Sequence, residues 1–434
     1  MAQIRPFAAV RYASGPDISS LIAPPYDVLD ERGKKLLMKR SQYNIVEVDL
    51  PHLPAKTVGP DAAYAGAART VGQWLVAGVL KKDPRQGLYA YTQSYQHGTR
   101  TFHRRGFFGL VKLSPFGQGE VFPHEKTYPE AIVDRLKLTT ATRMQLSPIF
   151  GLFNDARNEV TNRLYKNLGR PEVTATLDGV QNDLWSVNDS DTINAVTDLM
   201  SRGPIFIADG HHRYTMALQY QKDEATRQGG KLAPNHPANW VMFAMVAMQD
   251  DGLLILPTHR VLGGLGAFDA GRLRTALGAN GELTETNVTP QEIGHWSDSV
   301  LAKKPAHTFG LYDGRAKKLY ELRITNADVL QTLEPGQSPA WRSLDVAILQ
   351  RYLLQEVIGP TFAPAGQVTR SYTADANTVA DMTDGVKNQI AIIIKPTPLH
   401  ALEELGKFNE VMPQKSTYFY PKLATGMVMN SLET

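Results

Sequence analysis

The sequence predicts a mixed α/β protein, and three observations carry that expectation. Residues 88–95 alternate like a half-buried strand. Residues 62–80 carry Tyr64, Val71, Trp74, Leu75 and Val79 as the apolar positions of a helix. Residues 204–218 set a short apolar strand, a polar turn and a helix-compatible segment in direct succession. Four portions are expected: an N-terminal α/β domain over 1–115, a core over 116–265, a small α/β insertion over 266–336 and a C-terminal α/β portion over 337–434.

With 434 residues the chain is long enough for several domains, each with its own core. A formal charge of +3 is small for that length, so no polyanion-binding footprint stands out and no nucleic-acid partner is expected. The chain has no cysteine, which removes disulfides, thiolate nucleophiles, zinc ribbons and Fe–S clusters. Residues 1–10 lack the basic and apolar regions of a secretory signal. No apolar run reaches the roughly 18–20 residues of a membrane span. A cytoplasmic protein without membrane contact is expected.

Taken in order, residues 22–28 should be extended, because Pro24 and Pro25 restrict their own φ and the residue before. Asp30 is placed to cap a helix running to about Met38. The strand 88–95 should turn at His97-Gly98 into a second strand, 101–111. Pro129 suits the first turn of a helix over 129–142. Residues 147–154 read as a buried strand, 184–187 as a short one, 191–200 as a helix and 240–248 as a core strand. Helices are expected over 270–277 and 344–357, and strands over 306–312 and 318–324, joined at Asp313-Gly314. The run 390–394 is the most strand-like of all, with a helix after it at 399–407.

The chain is organised around residues 204–218. Ile205-Phe206-Ile207 is too short for a helix, and Asp209-Gly210-His211-His212-Arg213 leads from it into a helix expected over 214–221. Such a succession converges backbone N–H groups and a helix dipole on an anion. Gly210 tolerates positive φ, and Asp209 bonds its local backbone. His211, His212 and Arg213 add donors that sit awkwardly beside the positive helix end, a conflict that a bound anion relieves. The competing reading is a solvated surface turn.

No G-x-x-x-x-G-K-[ST], G-x-S-x-G or convincing G-x-G-x-x-G occurs. His124-Glu125 lacks the second histidine of a zincin, because Tyr128 stands at that position. Adjacent His211 and His212 do not chelate one metal as an i, i+4 pair does. No zinc, flavin or Fe–S cofactor is expected. What remains is Pro123-His124-Glu125, the Asp209 to Arg213 turn, and Lys415-Ser416-Thr417. They supply a carboxylate, a donor-rich turn, and a lysine with two hydroxyls, which are the parts phosphoryl transfer uses. Each is a weak signal alone, since a glutamate before a helix is more often a cap and Lys-Ser-Thr usually a loop.

Several stretches together are recognisable: Arg5-Pro6-Phe7, Ala23-Pro24-Pro25-Tyr26-Asp27-Val28, His124-Glu125-Lys126-Thr127, Asp134-Arg135, residues 208–214 and residues 412–422. Through them nearly the whole chain resembles a widespread, poorly characterised bacterial family often encoded beside phosphoserine phosphatase. Residues from about 121 onward also resemble the free L-serine kinases of the ParB/sulfiredoxin-like superfamily. Those enzymes carry a Pro-His-Glu, an Asp-Gly-His-His-Arg and a Pro-Lys-Thr-Thr segment in the same order; here the last is matched only approximately, by Gln414-Lys415-Ser416-Thr417.

The resemblance implies a ParB/sulfiredoxin-like core with an extra N-terminal domain and a C-terminal portion completing the site. It implies transfer of phosphate to the hydroxyl of free L-serine or a similar small alcohol. Glu125 would be the general base, with Asp209 and His211 also catalytic. Gly210, His212, Arg213 and Lys415 would hold phosphate, and His124, Ser416 and Thr417 the substrate. Mg²⁺ is the expected metal, with Asp209 its ligand. ATP, ADP, pyrophosphate and polyphosphate all stay open as donors. The N-terminal domain is expected to close the site, to supply donor contacts through Arg100, Arg104 and Arg105, or to mediate a homodimer. Sulfiredoxin-like repair needs a nucleophilic cysteine and fails. A ParB-like nucleotide-dependent clamp lacks its basic helix-turn-helix here. A non-catalytic phosphometabolite sensor is the remaining alternative, and Glu125 argues against it, because a sensor has no use for a base.

Overall fold

The computed structural model describes residues 2–13, 15, 17–118, 120–363 and 366–433. The chain is mixed α/β and forms two compact units. One is built from Met1–Pro123, Thr127–Leu254 and Pro421–Thr434, the other from His124–Lys126 and Ile255–Tyr420. Among the described residues no helix is long and apolar enough to cross a membrane.

The first unit is organised on a nine-stranded sheet. Eight strands follow one another in the order Val121–Phe122, Ile205–Asp209, Ile149–Phe153, Trp240–Ala247, Arg100–Lys112, Leu88–His97, Val180–Val187 and Val173–Leu177, and Ile4–Arg5 also pairs with Arg100–Lys112. Strands from both sides of residue 115 therefore share one sheet. The hairpin is where the alternation placed it, with Gly98 at φ +58° in its turn. Phe107, Phe153, Ile205, Ile207, Tyr214 and Phe243 pack together in the core of this sheet. Pairing of Ile205–Asp209 with Val121–Phe122 is parallel, with Phe206 opposite Phe122, so both strands run towards the same end of the sheet. That end is where the organising turn begins.

The helices of this unit begin where their caps dictate. Asp30 accepts the Gly33 N–H at 2.7 Å and starts the helix Glu31–Arg40. Asp189 caps Ser190–Met200 through the Thr192 N–H, and Pro129 opens Pro129–Thr142. Residues 22–28 are only partly extended, because Tyr26–Val28 closes into a 3₁₀ turn after the two prolines.

In the second unit six antiparallel strands form one sheet, in the order Gly281–Glu285, Lys318–Ile324, Thr308–Asp313, Asn388–Ile393, His259–Gly263 and Thr369–Thr373. Three strands of the expected insertion lie side by side in it, followed by two strands of the expected C-terminal portion that flank His259–Gly263 from the expected core. Val261, Ile293, Trp296, Leu319, Ala391 and Ile393 pack against one another as its core. The helix expected over 344–357 is present, but from Ile348 to Ile358 it is wound as a π-helix.

Candidate functional site

The turn after Ile205–Asp209 is tighter than its sequence suggests. Gly210 stands at φ +99° as the N-cap, and the helix runs from His211 to Arg227, three residues earlier than expected. A Cβ on Gly210 would lie 3.0–3.1 Å from the Arg213 guanidinium, so glycine is required both for its backbone and for its lack of bulk. His211, His212 and Arg213 are thus the first turn, which holds no acidic residue. N–H groups of a first helical turn point out of the helix end rather than into its own bonds, and the first bond of this helix runs from the Tyr214 N–H to the Gly210 carbonyl at 3.0 Å.

Asp209 supplies the negative charge at this end. Lys422 Nζ lies 2.7 Å from its Oδ2, and Arg213 Nη2 lies 3.5 Å from its Oδ1. Burial raises the carboxyl, but Lys422 and Arg213 outweigh burial and hold it well below the usual carboxylate range. Arg213 faces inward: it is buried, and its Nη1 donates to the Pro148 carbonyl. His212 accepts the Tyr128 N–H on Nε2 at 3.0 Å and stacks on the Tyr128 ring, an arrangement that places its proton on Nδ1. His211 is buried beside Asp209, whose charge it helps to favour.

Sequence reasoning missed two parts of this cluster. Lys422, at the far end of the chain, is positioned by backbone contacts from the sheet. Arg104 donates to the Pro421 carbonyl at 2.6 Å and Gln93 to the Lys422 carbonyl at 3.1 Å. Arg104 is therefore a buried brace on the far side of Lys422, only 2% exposed, with burial lowering it to about 10. Arg105 pairs with Asp250 at 3.1 Å, and Arg100 is exposed at the hairpin.

The second missed part joins the Pro-Pro-Tyr-Asp and Asp-Arg stretches. Arg135 stacks its guanidinium 3.9 Å over the Tyr26 ring and donates to the Asp49 carbonyl at 2.6 Å and to Asp134 at 2.8 Å. Burial raises Asp49, while Arg135 and Arg213 oppose it. Asp49, Arg135, Gln145, Ser147 and Arg213 line a small cavity of about 30 Å³. The signal for this network was the acid and base content of those two stretches, but nothing in their spacing announced their meeting.

In the second unit His124-Glu125 and the Lys-Ser-Thr segment lie side by side. Glu125 bridges Met412 in parallel, and the Met412 N–H donates to the His124 carbonyl at 2.8 Å. Glu125 Oε1 accepts the Lys415 N–H. His124 is buried, with Nε2 2.9 Å from Thr417 Oγ1. Ser416 donates its hydroxyl to the Pro413 carbonyl. The Ser416 and Thr417 hydroxyls thus have partners in Pro413 and His124, whereas the Lys415 side chain is exposed. Lys415 stands at φ +58°, a left-handed conformation that a lysine adopts at a cost.

The predicted residues therefore fall into two groups. Asp209, Gly210, His211, His212 and Arg213 belong to the first unit, with Lys422 added. His124, Glu125, Lys415, Ser416 and Thr417 belong to the second. Asp209 does not fit the expected role of Mg²⁺ ligand. Two cations already neutralise its oxygens, and among the described residues no three His, Asp or Glu side chains are grouped to hold a metal.

Several solved structures are similar to this chain. A conserved hypothetical protein from Pyrococcus furiosus is 15% identical, with a TM-score of 0.33 over 72% of this chain and 92% of that one. A mutant free serine kinase in complex with AMP is 12% identical, with a TM-score of 0.33 over 69% and 84%. SbnI with a C-terminal truncation, from Staphylococcus aureus, is 12% identical, with a TM-score of 0.34 over 74% and 86%. Likeness at these scores carries neither a site nor a reaction across, so the site rests on its own residues. No curated protein matches the chain in sequence. Residues 4–347 match one family along most of the chain, and the protein belongs to that family, DUF1015, described as a protein of unknown function.

Proposed function

We propose that this protein is a phosphotransferase that moves phosphate from a nucleotide or an inorganic pyro- or polyphosphate to the hydroxyl of free L-serine or a similar small alcohol. The observation that carries the reading is the start of the His211–Arg227 helix, where a glycine N-cap opens a first turn of three basic residues and where Lys422 and Arg213 both pair with the single carboxylate of Asp209. Such an end attracts a multiply charged oxyanion through first-turn N–H groups, the helix dipole and surplus positive charge together.

In this reading Glu125 accepts the proton of the acceptor hydroxyl. Its Oε1 is tied to the Lys415 N–H, and Oε2, which has no hydrogen-bond partner among the described residues, takes the proton. The acceptor oxygen bonds to the terminal phosphorus, the bridging P–O bond breaks, and the shortened donor leaves with that electron pair. Lys422 and the backbone of residues 210–213 offset the charge on the transferring group, with His211 and His212 as further donors. Arg213 braces the turn and Asp209 orients Lys422. His124, Ser416 and Thr417 hold the Glu125 segment in shape, and the exposed Lys415 side chain meets phosphate. Any Mg²⁺ would be held by the donor's phosphates rather than by Asp209 and would offset their charge. A ParB/sulfiredoxin-like core is part of the same proposal.

The cradle is tested by binding alone. Pyrophosphate, ADP and ATP are offered to the parent and to Lys422→Ala while thermal unfolding is followed. At least one ligand raises the parent's melting temperature and raises the variant's much less. No stabilisation of the parent by any of them removes the basis of the reading.

A further inference from the structure

We infer that Arg260 is a positioning residue for Glu125, acting through the peptide of Lys415. The role of Glu125 rests on the phosphotransfer reading; the mechanical link does not. Arg260 lies on the strand His259–Gly263 and is 2% exposed. Among the described residues no carboxylate forms an ion pair with it. A buried guanidinium without an acid is costly, so its hydrogen bonds indicate what it is kept for.

Those bonds go to two carbonyls. Nη1 donates to Thr258 O, just before its own strand, and Nη2 donates to Lys415 O at 2.9 Å. The Tyr372 ring lies 5.8 Å from its Cζ. Lys415 is the residue held in the left-handed region, and it is bonded on both sides: its carbonyl to Arg260 and its N–H to Glu125 Oε1. Thr397 holds the next carbonyl, Ser416 O, at 2.7 Å. A charged donor fixed in a strand thus pins the carbonyl of a residue in the left-handed region, and the N–H of that same residue aims the carboxylate. Without it, Lys415 relaxes towards ordinary φ, its N–H turns away, and Glu125 Oε1 loses its anchor.

The test reads the peptide directly. Amide hydrogen exchange at residue 415 is followed in the full chain for the parent, Arg260→Gln, Arg260→Lys and the double variant Arg260→Gln with Lys415→Gly. Exchange in Arg260→Gln is about 10-fold faster or more, the loss expected for one charged hydrogen bond. Arg260→Lys recovers part of the protection. The double variant recovers it as well, because glycine takes the left-handed conformation without a clamp. A residue that merely filled the core would not be rescued by a glycine at 415. If Arg260→Gln does not fold, Arg260→Lys with and without Lys415→Gly gives the same comparison. Unchanged exchange at 415, or no recovery with glycine, overturns the inference. Turnover is read in parallel: altered exchange in a protein whose parent transfers no phosphate leaves the link standing and removes the phosphotransfer reading instead.

Discussion

The start of the His211–Arg227 helix and the segment around Glu125 hold their carboxylates in opposite ways. Asp209 is gripped by side chains, with Lys422 at 2.7 Å and Arg213 at 3.5 Å, and both of its oxygens are engaged by cations. Glu125 forms no ion pair among the described residues and is held by one backbone N–H at one oxygen. A carboxylate saturated by cations is a fixed part of an electrostatic frame. One anchored through a single amide is aimed, yet keeps an oxygen for a proton. The proposed reading gives binding to the first region and proton transfer to the second, and the contrast can be broken or sharpened one residue at a time.

The largest effect belongs to Glu125→Gln. Turnover should fall by about 10²–10⁴-fold, the usual loss of a general base, while stabilisation by donor ligands is kept. Parallel loss of both would erase the division between the two regions. Lys422→Met removes one charge-assisted contact and should weaken pyrophosphate binding roughly 10- to 100-fold by calorimetry, from about 1.5–3 kcal/mol. Unchanged affinity would leave Lys422 as a partner for Asp209 and nothing more.

Gly210→Ala should cost about 1–2 kcal/mol in chemical denaturation, from the left-handed backbone, with the Arg213 contact adding to it. A smaller, pH-limited effect belongs to Asp209. Its folded-state carboxyl is depressed, so its stabilising contribution is complete above the unfolded value of about 4 and is lost as the pH falls below that. The parent should therefore lose more stability than Asp209→Asn between about pH 4 and pH 2. Identical acid titrations would mean that Lys422 and Arg213 do not favour the charged form.

How far the sequence foresaw all this depended on range. The strand, turn and helix at 204–218 were legible because every signal lay within fifteen residues: an apolar run, a glycine and a polar cluster. Even so, the helix began earlier than its apolar face implied, because Gly210 caps it and the polar His211, His212 and Arg213 are its first turn. The Asp209–Lys422 pair spans 213 positions and leaves no trace in local pattern. The same holds for Arg135 with Asp49, and for the two sheets, whose strands pair across the expected boundaries at 115 and 336. Arg104 is among the arginines expected to supply donor contacts; Gln93 and Pro421 make it a buried brace. Alternation along a strand gives its faces but not its neighbours.

The central claim is phosphate transfer to a small alcohol, and one measurement meets it most directly. Purified protein with Mg²⁺ and L-serine is given ATP, ADP, pyrophosphate and polyphosphate in separate reactions, and the products are identified by mass spectrometry. The account predicts phosphoserine, or the phosphate ester of a close relative offered in its place, from at least one donor, with loss of that product in Glu125→Gln. No phosphate ester from any donor, or equal product from parent and Glu125→Gln, would contradict it.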